Sequence, residues 1–389
     1  MILMYLIMTK NDPLIRILID AVRCNIKDGV NNIFVVGSRA YDEYTVIDNV
    51  NNNREYIVSD LDVFIDLNIR TYLLTFFTPI MFNVNKTIKD RLIKEKIVSN
   101  ISISFRPLKL GRYLPFFYPN NLYLFEFRPI YVINDKFIIG NKGFDIIPKD
   151  IDALNLLFSS LADYIYLVSS KKDNVRIREY IYTLSKRCLT VLYCVLIFNK
   201  VYSSSYIDRI ILAKKKSLLI DYLISTEELK IFELLTKYKI SGDYKLLNNL
   251  VETSSINYVE IYYIVDKFFK KTALKTLVYG LCLDNNINNK INNYLYADVD
   301  KLLIDYKNSR RINFFNSLIF SFLSMFSFLR HKNIYKLKFE LYSLMNNRLK
   351  PNHLLRYYMG KHFIKYVYYN KINPKEVMNL IKNWRLIME

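Results

Sequence analysis

The period of the apolar residues changes near residue 150, and neither a lone sheet fold nor a lone helix bundle accommodates both patterns. Up to that point short apolar runs of strand length are broken by Gly, Asn and Pro, whereas from Ile151 onward apolar and aromatic residues recur at helical spacing over long stretches. Polar punctuation such as Lys171-Lys172-Asp173-Asn174, Lys214-Lys215-Lys216 and the stretch from Asp284 to Asn293 separates these helices, and no repeat of fixed period runs through them. The fold class expected is α+β. A domain over 1–150, a mixed β-sheet flanked by helices, precedes a mostly α-helical region over 151–389, with a further division expected near 284–300.

Within the first part, Asp12 before Pro13 is an N-cap followed by proline at the first helical position. Leu14, Ile15, Leu18, Ile19 and Val22 then repeat at helical spacing until Asp28-Gly29. Ile33 to Val36 reads as a short buried strand ending on Gly37-Ser38, Arg39 to Ile47 as helical, and Asn49 to Asn53 as a loop. Tyr56 to Leu67 reads as one strand, with Leu61, Val63 and Ile65 on one face and Asp60, Asp62 and Phe64 on the other. Further strands are expected over Ile97 to Phe105, where Ser alternates with apolar residues, and over Asn121 to Ile133.

Composition narrows the function. At 389 residues with 52% apolar, 24% charged and 15% aromatic residues, the chain buries a sizeable core. Its formal charge of +20 favours a polyanionic partner, nucleic acid or nucleotide polyphosphate, although a lysine-rich surface also serves solubility. None of the 8 Gly forms a GxGxxG or GxxxxGK pattern, which excludes a Rossmann fingerprint and a Walker A loop. The 3 His and 4 Cys lack zinc-site spacing, and Cys24, Cys188, Cys194 and Cys282 do not read as a disulfide framework, so a cytoplasmic location is expected. Met1 to Met8 lacks the basic region and cleavage site of a signal peptide. Ile312 to Leu329 runs 18 residues without a charge but carries two Asn and four Ser, which points to a buried helix and to no stable membrane insertion.

The chemistry-bearing residues lie in the first part. Asp60 and Asp62, at i and i+2 on a strand, share a face and together suit one or two hard divalent cations, Mg²⁺ or Mn²⁺. Gly37 lets a phosphate approach the backbone closely, and Ser38 adds a hydroxyl and the N–H groups of the following turn. Together they make half of a two-metal phosphoryl-transfer site. Helix, strand, Gly37-Ser38, a second helix and a second strand, in that order with Asp60-x-Asp62, resembles the DNA polymerase β-like nucleotidyltransferase superfamily over about residues 12–135.

That resemblance implies a nucleoside triphosphate substrate, with ATP expected, and a third acidic residue on a later strand that completes the metal site and helps deprotonate the acceptor. Glu126 in Leu124-Phe125-Glu126-Phe127-Arg128 is the best match; an ion pair with a nearby arginine is its alternative role. Twenty-one residues separate Ser38 from Asp60, longer than the family's usual gap, with Asn49 to Glu55 read as an insertion. Asp66, on the Asp60/Asp62 face, reads as a solvated or capping residue.

In the helical part, Arg176 to Val201 is similar to the first long helices after the catalytic domain of such transferases, where a basic residue often contacts the triphosphate. Lys186 or Arg187 would fill that role, or both belong to an ordinary charged helix face. Basic residues interleave with aromatics at Arg348, Lys350, Arg356-Tyr357-Tyr358, Lys361 and Lys365 to Tyr369. That pattern suits a single-stranded RNA track, or helix packing with snorkelling lysines. Arg348 to His353 and Arg356 to His362 also match HEPN ribonuclease spacing, with Pro351 interrupting the first.

The activity expected is transfer of a nucleoside monophosphate to an acceptor hydroxyl with release of pyrophosphate. An RNA 3′ end, as in poly(A) polymerase-like enzymes, is the favoured acceptor. A nucleotide, as in the cyclic-nucleotide synthase branch, or a protein or small-molecule hydroxyl, are the alternatives, as is a catalytically degenerate RNA-binding subunit.

Overall fold

A computed structural model describes residues 13–26, 28–41, 43, 46–49, 54–57, 61–97, 99, 101–108, 121–133, 136–140, 144, 146–170, 177–216, 223–251, 257–284, 301–305, 351–371 and 373–388. The chain is α+β and forms two compact units. The first comprises Met1–Lys149, Tyr202–Lys215 and Thr236–Leu246, and the second Asp150–Val201, Lys216–Leu235 and Leu247–Glu389. Asp60, Arg348 and Lys350, together with the stretches Met1 to Met8 and Ile312 to Leu329, lie outside the described residues.

The first unit opens with α1 (Pro13–Asn25), whose Pro13 occupies the first helical position, and β1 (Val30–Val36). Gly37–Tyr41 is a 3₁₀ turn, so the helix expected to Ile47 is replaced by that turn and by β2 (Val46–Asn49). The β-branched pair Val46-Ile47 favours the extended backbone over the helix. β2 pairs antiparallel with β3 (Arg54–Ile57), Asn49 opposite Arg54, so the long spacer between Ser38 and Asp60 is built around a two-stranded ribbon. β4 (Leu61–Leu67) lies in the main sheet and β3 in the ribbon, both within the stretch Tyr56 to Leu67 expected as one strand, and residues 58–60 between them lie outside the described residues.

α2 (Ile69–Phe77) and α3 (Ile80–Lys94) then carry the chain across to β5 (Ile101–Arg106), the crossover that a parallel neighbour of β4 requires. Residues expected to open a strand at Asn121 instead form α4 (Asn121–Glu126), and the strand β6 begins at Arg128 (Arg128–Ile133). Leu124 and Phe127, both fully buried, stand at i and i+3, a helical spacing that prevailed over the alternation of apolar residues. β7 (Lys136–Ile139) closes a five-stranded mixed sheet of order β5-β4-β1-β6-β7.

Each face of this sheet has its own core. Leu61, Val63, Ile65 and Val35 pack on one side with Leu14, Leu18 and Val22 of α1 and Val84 and Ile88 of α3. On the other side Phe34, Val36 and Phe64 gather around Phe127, whose ring centroid is 5.1 Å from that of Phe34 and 4.7 Å from that of Phe64. The alternation expected along Leu61 to Ile65 is therefore observed, with apolar residues on both faces because both are covered.

In the second unit α5 (Asp150–Ser170) and α6 (Ile177–Phe198) pack together with the long helix Tyr258–Asp284. α5 and α6 are long and apolar enough to cross a membrane, and most of that surface is buried among these helices. Tyr164 donates to Asp266 Oδ1 at 2.8 Å; burial first, and the Asp266 charge next, push its phenol far above the ordinary value.

Candidate functional site

The corner where β1 ends and β4 begins holds three of the residues singled out from sequence, Gly37, Ser38 and Asp62. Antiparallel register sets Val36 opposite Asp62, and parallel register sets Asp62 beside Ser102 of β5. Every other residue of β4 is buried, whereas Asp62 is exposed. A carboxylate at that point keeps its hydration, which the surrounding apolar strand would deny it one residue either way. Gly37 adopts φ +75°, a left-handed conformation that disfavours a side chain, and a Cβ built there would stand 3.7 Å from Asp62 Oδ2. Ser38 is half-buried, and its carbonyl accepts the Glu43 N–H at 2.9 Å, which fixes the turn from its far end.

Gly37, Ser38 and Asp62 therefore meet at one corner. Glu126 is not on a strand but at the end of α4, where its Oε1 accepts from Arg209 Nη2 at 3.1 Å with side-chain exposures of 13% and 7%. Arg209 is itself fixed, donating to the carbonyls of Ser203 and Ser204, each at 2.9 Å. Among the described residues no group of three His, Cys, Asp or Glu side chains is placed to hold a metal ion. Of the carboxylates expected to hold Mg²⁺ or Mn²⁺, Asp62 is exposed beside the Gly37 turn, Asp60 lies outside the described residues, and Glu126 is turned to Arg209.

Beside this corner lies a polar cluster that sequence reading missed. The segment Tyr202–Lys215 contributes helix Tyr206–Lys215, and the buried Glu43 reaches its first turn. Ser205 Oγ donates to Glu43 Oε1 at 2.6 Å, and the N–H groups of Tyr206 and Ile207 donate to the same carboxylate at 2.6 and 3.2 Å. A negative charge at a helix N-terminus satisfies orphan N–H donors and complements the helix dipole. Lys239 Nζ donates to the Glu43 carbonyl at 3.2 Å. Arg128 lies 4.9 Å from the ring centre of Tyr41, whose phenol is pushed up to about 12, chiefly by burial, with Arg128 opposing the shift. Ser205-x-x-Asp208 is a legible helix-start pattern, and Asp208 N–H does donate to Ser205 Oγ at 3.0 Å; no sequence signal pointed to Glu43 or Arg209.

Asp66, expected to be solvated or capping, is buried. Its Oδ1 accepts the Leu108 N–H at 2.8 Å and its Oδ2 accepts from Asn31 at 3.3 Å, so it closes the far end of β4. Lys186 and Arg187 lie on α6 in the second unit, where Arg187 pairs with Asp163 at 2.7 Å and both carry partial exposure. In the helix Pro351–Tyr369, Arg356 is buried and donates to Asn155, which removes it from any exposed RNA track. Lys365, Tyr368 and Tyr369 are exposed there, and His362 is half-buried with burial lowering its pKa. Comparison with protein-family models, with curated proteins and with solved structures gives no match for this chain.

Proposed function

We propose that the chain is a metal-dependent nucleotidyltransferase that moves a nucleoside monophosphate from a nucleoside triphosphate, ATP foremost, to an acceptor hydroxyl. The observation that carries this reading is the exposed Asp62 at the head of an otherwise buried strand, in register with the strand that ends on a left-handed Gly37. Gly37 and Ser38 would receive the triphosphate: the glycine leaves room for the phosphate oxygens to meet the backbone, and the Ser38 hydroxyl and N–H donate to them. Asp60 and Asp62 would hold Mg²⁺ or Mn²⁺, which supplies charge neutralisation on the phosphates when bound. The acceptor oxygen bonds to the α-phosphorus as its proton passes to solvent and the bond to the bridging oxygen breaks, and pyrophosphate leaves with that electron pair. The +20 charge favours an RNA 3′ end as acceptor.

A second reading, a degenerate RNA-binding subunit, is favoured by the Glu126–Arg209 pair, which commits the best third carboxylate elsewhere. The two separate in one experiment. Purified protein is incubated with each α-³²P-labelled nucleoside triphosphate and Mg²⁺ or Mn²⁺, with and without a single-stranded RNA primer, beside Asp62→Asn and Asp60→Ala/Asp62→Ala. Primer extension by the wild type, lost in both variants, supports transfer to RNA; label in small products or on protein redirects the acceptor. RNA retention without incorporation under any condition supports the second reading and overturns the first.

A further inference from the structure

The strand order β5-β4-β1 sets three positions in a row across the corner of the sheet. Gly37 follows Val36, the β1 partner of Asp62, and Ser102 is the β5 partner of Asp62 on its other side. In-register neighbours on adjoining strands project from the same face about 4.8 Å apart, so Ser102 stands beside Asp62 on the face of Phe34 and Phe64. Both are exposed, while Leu61, Val63 and Ile101 beside them along their strands are buried. Ser104, the next residue of β5 on that face, is partly exposed and pairs with the buried Phe64. β5 carries no carboxylate, its one charged residue being Arg106 at the far end. Glu126 precedes β6, which flanks β1 on the side away from β4, so it belongs to the opposite side of β1 from Asp62 and Ser102.

We propose that Ser102 receives the acceptor, its Oγ holding the attacking hydroxyl by a hydrogen bond on the β5 side of Asp62. The proposal rests on the nucleotidyl-transfer reading and adds the direction of attack to it. In-line displacement puts the attacking and leaving oxygens on opposite sides of the α-phosphorus. With the β- and γ-phosphates at the Gly37-Ser38 turn after β1 and the α-phosphate beside Asp62 on β4, pyrophosphate leaves toward β1 and the acceptor arrives from β5. Ser102 is the exposed polar side chain beside Asp62 on that strand, and its small size leaves room for an incoming group. A serine hydroxyl both donates and accepts hydrogen bonds but is too weak a base to take a proton at neutral pH, so it orients the acceptor oxygen while the proton passes to solvent. Glu126, expected to serve there with a carboxylate, stands on the pyrophosphate side and is held by Arg209.

Two measurements on the full chain test it, one of them without turnover. Mn²⁺ titration followed by electron paramagnetic resonance reads the juxtaposition: Ser102→Asp sets a second carboxylate beside Asp62 and is expected to tighten Mn²⁺ by about tenfold or more, a gain that disappears when Asp62→Asn is added. Steady-state transfer from ATP to a single-stranded RNA primer reads the role. Ser102→Ala is expected to raise the primer KM by about three- to tenfold with the ATP KM unchanged, and Ser102→Thr, which keeps the hydroxyl and suits a strand, to restore most of the loss. An unchanged Mn²⁺ affinity in Ser102→Asp overturns the placement. Primer extension with the primer KM unmoved by Ser102→Ala, or with the ATP KM moved instead, overturns the role and leaves nucleotidyl transfer standing. Absence of primer extension by the wild type overturns the proposal, and where no product of any kind takes label, nucleotidyl transfer falls with it.

Discussion

Replacing Arg209 with Met removes a guanidinium that serves Glu126 and two backbone carbonyls at once. With side-chain exposures of 7% and 13%, the pair is nearly out of water, so the substitution leaves a carboxylate that solvent reaches poorly. Breaking such a pair from one side costs about 3–5 kcal/mol, most of it the stranded charge. Glu126→Gln keeps an acceptor oxygen and the shape but removes the charge, at about 1–2 kcal/mol. In the double variant Arg209→Met/Glu126→Gln no charge is stranded, so the combined cost falls short of the sum of the single costs by about 1.5–3 kcal/mol. The measurement is urea dependence of amide hydrogen exchange in peptides spanning 121–133 and 202–215, which report on the first unit without averaging over the second. Additive costs, or a loss under about 1 kcal/mol for Arg209→Met, would show that the pair behaves as a solvated surface contact.

Gly37→Ala is expected to cost about 1–2 kcal/mol through its left-handed backbone alone, because among the described residues a Cβ there meets nothing closer than 3.7 Å. Gly29→Ala, at φ +102° with Thr71 Oγ1 1.9 Å from the added carbon, is expected to cost more, and paired urea midpoints check the order. Glu43→Ala leaves the first turn of Tyr206–Lys215 without its carboxylate, and about 2 kcal/mol and faster exchange of that helix are expected; Glu43→Gln should restore part of both. Tyr41 titrates at 10.0 when unfolded and at about 12 when folded, so the folded state holds the proton more tightly. Its contribution is complete below pH 10 and is lost as pH rises toward 12, and Tyr41→Phe should flatten that part of the stability profile relative to wild type.

Much of the first unit was legible because its signals are local. Asp12-Pro13 marks the start of a helix, Ile33 to Val36 the buried strand, and the alternation from Leu61 to Ile65 the two faces of β4. The corner of Gly37 and Asp62 was legible for the same reason, since strand parity alone puts Asp62 on the face of Phe64. What escaped depends on distant partners. Glu126 reads as a strand residue because Leu124 and Glu126 alternate with aromatics, yet burial of Leu124 and Phe127 selects a turn of helix, and Arg209, 83 residues away, claims its carboxylate. Glu43 has no local signature at all, as its partners Ser205, Tyr206 and Lys239 lie more than 160 residues on. Asp66 reads as solvated or capping because it sits near a strand end; it is buried, and of the two roles it takes the capping one, accepting the amide of Leu108 from beyond β5.

The threefold division of the first unit along the chain bears on how it is made. Tyr202–Lys215, its second part, carries the partners of Glu43 and Glu126 and follows Lys149 by roughly sixty residues, which at about 5–20 residues per second of synthesis is a wait of about 3–12 s. During that interval the sheet and its two cores are complete, but the carboxylates of Glu43 and Glu126 have neither the helix start nor the arginine that neutralise them. The nascent domain would then exist first as an acid-bearing intermediate, more soluble and less tightly closed than the finished one, and ribosome pausing between codons 150 and 205 would lengthen its life.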